Sequence, residues 1–181
     1  MKGKNHAIAG ACTAGCLVVS AIVEGNAGII PIVGMGAAAC FGSMFPDIDS
    51  RTSKLGKKMK VTSWLCSKVF GHRGFLHSPL FAALTYLIFW MVFDKNNIPA
   101  EYNYIWGGFI AGMLMHFMCD MATKGGLPLL YPLARYRFGF GVLESGSKWE
   151  WLSLVLIMAL TVGVTILLML NGVWFSALLP K

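Results

Sequence analysis

The four histidines of this chain, His6, His72, His77 and His116, all stand where apolar sequence meets charged loop, each with an acid, an arginine or another histidine nearby. Asp47 and Asp49 come in Phe45-Pro46-Asp47-Ile48-Asp49, Asp120 follows His116 by one helical turn, and Glu150 lies between Trp149 and Trp151. Neutral imidazole and carboxylate are borderline-to-hard donors, which suit Zn²⁺ or Mn²⁺ better than copper or an iron–sulfur cluster. His6, Asp47, Asp49, His72, His77, His116, Asp120 and Glu150 are more candidates than one four-coordinate ion requires, so two or more ions are expected. Such a pair activates water to hydroxide and stabilises the departing oxygen in displacement at phosphorus. His6, Asp47, His72, His116 and Asp120 are read as ligands, and Asp49, His77 and Glu150 as further ligands or acid–base groups. Arg73 is always charged and suits bidentate phosphate recognition. Arg135, Tyr136 and Arg137 offer a second phosphate contact or an anchor for their loop.

The elements that would hold these groups are membrane helices. A chain that is 56% hydrophobic, with 8 acidic residues in 181 and a mean hydropathy of +0.65, has too few polar residues to coat a water-soluble globule. An all-α integral membrane protein is expected, a single domain over residues 1–181. About five transmembrane helices are read at residues 7–23, 27–45, 75–93, 104–122 and 151–178, against a need of roughly 20 residues per crossing. Residues 57–70, with Val61, Trp64, Leu65 and Val69 at spacings of three and four among lysines, read as an amphipathic surface segment on the inner leaflet. The first apolar run is read as a retained helix rather than a cleaved signal, although Lys2 and Lys4 precede it.

Charge distribution orients the helices. Of the 15 Lys and Arg residues, all but Lys95 and Lys181 fall in the amino terminus, the loop 46–74 or the loop 123–150. Five crossings with a cytoplasmic amino terminus then satisfy the positive-inside rule at every loop. In that topology all eight candidate ligands lie at the cytoplasmic level.

Local patterns refine the positions. Gly108, Gly112, His116 and Asp120 share one helix face, and the glycines admit a neighbouring backbone. His6, Gly10 and Ala14 form a similar row. Ser78 and Pro79 predict a capped helix start with His77 at its entrance and His72 on a glycine-flanked turn. If extended, Pro46-Asp47-Ile48-Asp49 turns its two aspartates opposite ways, one to a metal and the other to support a ligand or bridge two ions. Residues 125–132, rich in Gly and Pro, read as a loop over the site. The five scattered cysteines suggest no disulfide framework or zinc ribbon. There is no His-Glu-x-x-His motif, and four histidines are too few for desaturase-type histidine boxes. A nucleic-acid partner is not expected, because the basic excess is confined to loops flanking the membrane.

Together these motifs resemble the LexA-regulated, inner-membrane-bound, metal-dependent hydrolase family (YdjM-like). The likeness runs from about residue 6 to 150: His6, Pro46-Asp47-Ile48-Asp49, Gly71-His72-Arg73-Gly74 with His77-Ser78, His116 with Asp120, then Thr123, Gly126, Pro128, Leu129 and Glu150. It implies a bacterial inner-membrane location, metal dependence and hydrolase activity. The order of ligands also resembles, more loosely, zinc-dependent phospholipase C and related nucleases, with a departure at Gly146, where no histidine precedes Glu150 by one turn. The function expected is hydrolysis of a phosphoester in a lipid or lipid-linked substrate at the inner leaflet. A divalent-metal or proton transporter is the alternative, although transport sites tend to lie near the bilayer midplane.

Overall fold

A computed structural model describes residues 1–71, 73–134, 136–141, 144, 146–147 and 149–179. Among the described residues lie seven α-helices: α1 (Gly3–Glu24), α2 (Ile29–Gly42), α3 (Lys54–Lys58), α4 (Lys60–Phe70), α5 (Pro79–Lys95), α6 (Asn103–Met121) and α7 (Glu150–Leu170). Short 3₁₀ turns lie at Pro46–Asp49, Phe75–His77, Ala100–Tyr102 and Phe175–Leu178. No strand occurs among the described residues, only an isolated antiparallel bridge between Leu127 and Phe138.

The helix ends differ from the apolar runs for identifiable reasons. Nothing between residues 3 and 6 breaks a helix, so α1 begins at Gly3 and takes His6 into its first turns. It stops at Gly25, whose φ of +73° is open to glycine at little cost, and the Gly25 N–H closes onto the Ala21 carbonyl. Downstream of α2, Pro46 opens the Pro46–Asp49 turn instead of continuing the helix. The expected third helix starts later, at Pro79, because Ser78 accepts the Phe81 N–H and ends the preceding turn. Met59 interrupts the surface segment, dividing it into α3 and α4. The last apolar run breaks after Leu170, with Gly172 at φ +68°.

α1, the stretch Ile29–Asp49 and α7 are long and apolar enough to cross a membrane. Five such helices were expected. α5, at 17 residues, lies at the lower end of the crossing range, and α6 carries Asn103, His116 and Asp120 along its 19 residues. The lateral surface is apolar: Ile22, Val23, Ile29, Ile30 and Val33 are exposed on α1 and α2, as is most of α7. So much contiguous apolar surface is untenable in water and matches hydrocarbon.

Close backbone contact organises the interior. A Cβ on Gly112 would lie 2.0 Å from the Ala39 carbonyl oxygen, one on Gly108 2.4 Å from that of Met35, and one on Gly42 2.1 Å from that of Phe109. The α6 glycine stripe therefore seats α6 on α2 as its spacing predicted. Around this contact Ala21, Ile32, Met35 and Tyr104 form one buried cluster, and Ala82, Met113, Phe117 and Leu127 another. α7 joins through Leu154, packed with Ala9, Met115 and Cys119.

Gly112→Ala should destabilise the protein by about 1–3 kcal/mol through overpacking, in spite of alanine's better helix propensity. Gly15→Ala, whose Cβ meets nothing within 4 Å, should be neutral or stabilising by up to about 1 kcal/mol. Thermal unfolding of the two variants in detergent separates these outcomes.

Candidate metal centre

Four segments converge at one end of the bundle. α1 brings His6, the turn after α2 brings Asp47 and Asp49, the turn before α5 brings His77, and the last turns of α6 bring His116 and Asp120. His6, Asp49, His77, His116 and Asp120 are all buried, and Asp47 is partly so. Ionisable groups taken out of water must be charge-paired, hydrogen-bonded or bound to metal. Two sets have ligand atoms close enough to share an ion: His6, His116 and Asp120, and Asp47, His77 and His116.

The orientation of the imidazoles follows from what holds their outer nitrogens. His116 Nδ1 lies 2.7 Å from the Ser43 carbonyl oxygen, which can only accept, so Nδ1 carries the proton. His77 Nδ1 lies 3.1 Å from Asp49 Oδ2. The bond from His116 Nδ1 turns that ring's Nε2 inward as a donor of an electron pair, and the Asp49 carboxylate facing His77 Nδ1 turns the second Nε2 the same way, the arrangement that orients histidines toward metals. These Nε2 atoms are 3.2 Å apart. Asp47 Oδ1 lies 3.8 Å from that of His77 and 4.0 Å from that of His116, and Asp120 Oδ2 lies 3.8 Å from each. Each carboxylate oxygen thus lies within 4.0 Å of both imidazole nitrogens, and nitrogen and oxygen are donors that zinc accepts.

Two neutral imidazoles facing each other through lone pairs repel unless a cation stands between them. A proton can serve, since burial alone would depress His77 but its bonds to Asp47 and Asp49 outweigh this and push it up to about 9. A divalent cation competes for the same electron pairs. Among the described residues, the buried polar atoms without a hydrogen-bond partner include Asp120 Oδ2 and the ring nitrogens of His6, and a metal would supply a bond to the carboxylate and to one of those nitrogens. His6 stacks on His116 with ring centroids 3.8 Å apart, and its Nε2 lies 3.4 Å from Asp120 Oδ1. The residues thus fit a metal by donor type, spacing and unmet bonding capacity.

Arg73 brings cationic charge to the rim. Its guanidinium lies 3.2 Å from Asp120 Oδ1, an oxygen that the Met1 ammonium also approaches at 2.5 Å. The Arg73 N–H donates to Asp49 Oδ2 at 2.9 Å, and its φ of +56° is unusual for a side chain of this size. The structure brings six of the eight predicted ligands together. Glu150 is not among them: its carboxylate accepts the Lys2 N–H at 2.6 Å, the Asn5 side-chain amide at 2.7 Å and the Gly146 N–H, so it fastens the first turn of α1. Asp49 sits behind His77, not beside an inward nitrogen. The aspartates of Pro46–Asp49 divide as predicted, although they do so on a 3₁₀ turn and not on an extended strand. His72, Arg135 and Lys148 lie outside the described residues.

Sequence reasoning missed the Ser43 carbonyl, because a backbone acceptor leaves no residue-type signal. It also missed Gly125, where a Cβ would meet the Arg73 guanidinium at 1.6 Å. Its presence in a Gly-rich loop was visible, but its partner was not. Thr123 was noted only as part of a motif; it is buried, and its hydroxyl donates to the Asp120 carbonyl at 3.0 Å, closing the end of α6.

The profile of the YdjM inner membrane protein family matches residues 1–179. The chain belongs to that family. It is similar to the Escherichia coli inner membrane protein YdjM, with 32% identity over 142 residues, 74% of this chain and 70% of the relative. It is likewise similar to the uncharacterized protein YvsG of Bacillus subtilis, with 34% identity over 134 residues, 73% of this chain and 74% of the relative. No solved structure matches. Membership makes this a membrane protein of a bacterial inner-membrane family, and its buried His/Asp cluster has the means to hold a metal ion.

Asp49→Asn should weaken binding of added Zn²⁺ or Mn²⁺ by about 10- to 100-fold, as loss of a carboxylate behind a ligating histidine does. Glu150→Gln should leave metal binding intact while lowering thermal stability by about 1.5–3 kcal/mol, the scale of charged hydrogen bonds. Metal titration and thermal unfolding of both variants distinguish a residue that orients a ligand from one that fastens a helix.

Proposed function

We propose that this protein is a multi-pass membrane hydrolase, dependent on Zn²⁺ or Mn²⁺, that cleaves a phosphoester of a lipid or lipid-linked substrate at the inner leaflet. The supporting observation is that His77 Nε2 and His116 Nε2, 3.2 Å apart, each lie within 3.8–4.0 Å of Asp47 Oδ1 and Asp120 Oδ2, with Arg73 against the Asp120 carboxylate. Bound metal would supply a water of lowered pKa and a Lewis acid for phosphoryl oxygen.

The protein's own groups divide the remaining work. Asp47, His77 and His116 would hold one ion, and His6, His116 and Asp120 form the second set whose residues could hold one. The Ser43 carbonyl fixes the His116 tautomer, and Asp49, facing His77 Nδ1, orients the second imidazole. Arg73 offers its planar donors to the phosphoryl oxygens and offsets their charge. Glu150 acts at a distance, holding Lys2 and Asn5 so that α1 presents His6. Transport fits less well: these ligands cluster at helix ends on one side, whereas transport sites sit near the bilayer midplane.

The amino terminus is placed in the cytoplasm, with the centre facing that side. The basic loop containing α3 and α4 lies beside the centre: it follows the Pro46–Asp49 turn, and α4 ends three residues before Arg73, so positive-inside orientation carries the site with it.

Purified protein loaded with Zn²⁺ or Mn²⁺ should release inorganic phosphate or a phosphorylated headgroup from bacterial phospholipids. His116→Ala and Asp120→Asn should each lower turnover by at least about 100-fold, given that one group stabilising a transition state can be worth that much. Arg73→Lys should restore little of the activity lost in Arg73→Ala. No turnover by the metal-loaded protein across a broad lipid and phosphoester panel would overturn the assignment. For orientation, a reporter active only outside the cytoplasm should be silent when fused after Lys58 and active after Asn96.

A further inference from the structure

Two cavities, each lined in part by residues adjoining the segments that carry the metal centre, differ completely in chemistry. One, about 370 Å³, lies among Lys68, Arg73, Arg137, Phe70, Pro128 and Tyr131. Three cationic side chains line it, and one of them, Arg73, also touches Asp120. The other, about 630 Å³, lies between α2, α5 and α6 and is walled by Phe41, Phe45, Phe81, Phe89, Trp106 and Phe109. Its surface is almost wholly apolar. The hydroxyl of Thr85, which also lines it, is engaged with the Phe81 carbonyl at 2.8 Å and asks for no polar ligand.

A run of aromatic rings joins the two. Phe75 lies 5.1 Å from Phe70 and 6.1 Å from Tyr131, both in the cationic cavity, and 5.3 Å from Phe81 in the apolar one. Phe81 in turn stacks on Phe45 at 6.1 Å. This wall passes the metal centre, because Phe45 immediately precedes Pro46-Asp47 and Phe75 belongs to the turn that carries His77. A cationic recess, an apolar cleft and a continuous aromatic surface between them match a molecule with an anionic head and a hydrocarbon tail.

Building on the hydrolase reading, we infer that the substrate is an anionic amphiphile, a long-chain lipid phosphate, with its phosphate among Lys68, Arg73 and Arg137 and its chain in the cleft between α2, α5 and α6. The phosphate chemistry alone would also fit a free phosphoester. The apolar cleft selects the lipid, since burial of methylenes contributes affinity that a soluble phosphate cannot gain.

The test is equilibrium binding to the purified full chain in detergent, read by native mass spectrometry. The probes are the phosphonate analogue of dioleoyl phosphatidate, which the protein cannot consume by phosphoester cleavage, together with dioleoylglycerol and phenyl phosphonate. The phosphonate lipid should bind at least about tenfold more tightly than either fragment, a step equal to about 1.4 kcal/mol. Thr85→Trp and, independently, Ala38→Phe narrow the cleft; each should remove that tenfold advantage and leave phenyl phosphonate binding unchanged. Lys68→Ala should weaken the phosphonate lipid and phenyl phosphonate but not dioleoylglycerol. Unchanged thermal unfolding and metal content establish that each variant is folded. Equal affinity for dioleoylglycerol and the phosphonate lipid, or indifference to both narrowing substitutions, would overturn the inference. Turnover confined to soluble phosphoesters and unaffected by narrowing would also overturn it, while keeping the hydrolase. The expected binding pattern without turnover of any phosphoester would support the lipid site and overturn the hydrolase reading.

Discussion

The contact between the backbones of α2 and α6 is the constraint on which the centre rests. Gly108 and Gly112 let α6 settle against the carbonyls of Met35 and Ala39, and this depth of approach brings the Ser43 carbonyl onto His116 Nδ1. A methyl group at either glycine would hold the helices apart and draw that acceptor away. His116 would then lose the partner that fixes its tautomer, and the inward direction of Nε2 would go with it. Packing within the apolar layer therefore sets the chemistry at its edge.

Burial raises the stakes of each polar contact. In a low-dielectric interior, an unsatisfied carboxylate or imidazole costs far more than a hydrogen bond normally returns. The cluster meets this demand in layers. Asp49 is shared between His77 and the Arg73 backbone, and Asp120 Oδ1 draws the Met1 ammonium and the Arg73 guanidinium. Asp120 Oδ2, which faces both inward imidazole nitrogens, keeps unmet bonding capacity that a cation could use. Glu150 belongs to the same economy of charge but serves a different purpose, closing the amino-terminal turn with three N–H donors.

Much of this was legible in the sequence because it depends on residue type and period. The fourfold spacing of Gly108, Gly112, His116 and Asp120 encodes one helix face, Ser78-Pro79 encodes a helix start, and low polarity encodes a membrane environment. What stayed hidden depends on backbone position or on a tertiary neighbour. The Ser43 carbonyl has no side-chain signature, and Gly125 becomes meaningful only once Arg73 lies over it. Glu150 shares the residue type and apolar margin of a ligand, and only the folded path of α1 shows it bound elsewhere. The helix boundaries shifted where Pro46, Ser78 and Met59 outweighed hydrophobic continuity.

α7 meets the rest of the protein along a narrow strip. Glu150 and Leu154 are its buried residues, and Ser153, Ile157, Met158, Thr161 and Thr165 continue the same side at intermediate exposure. Its remaining surface is a broad, mostly exposed run of leucine, isoleucine and valine. Outside that strip, greasiness alone is asked of each residue, so the outward face of the last helix is free to drift through evolution while the strip that grips α1 is held in place.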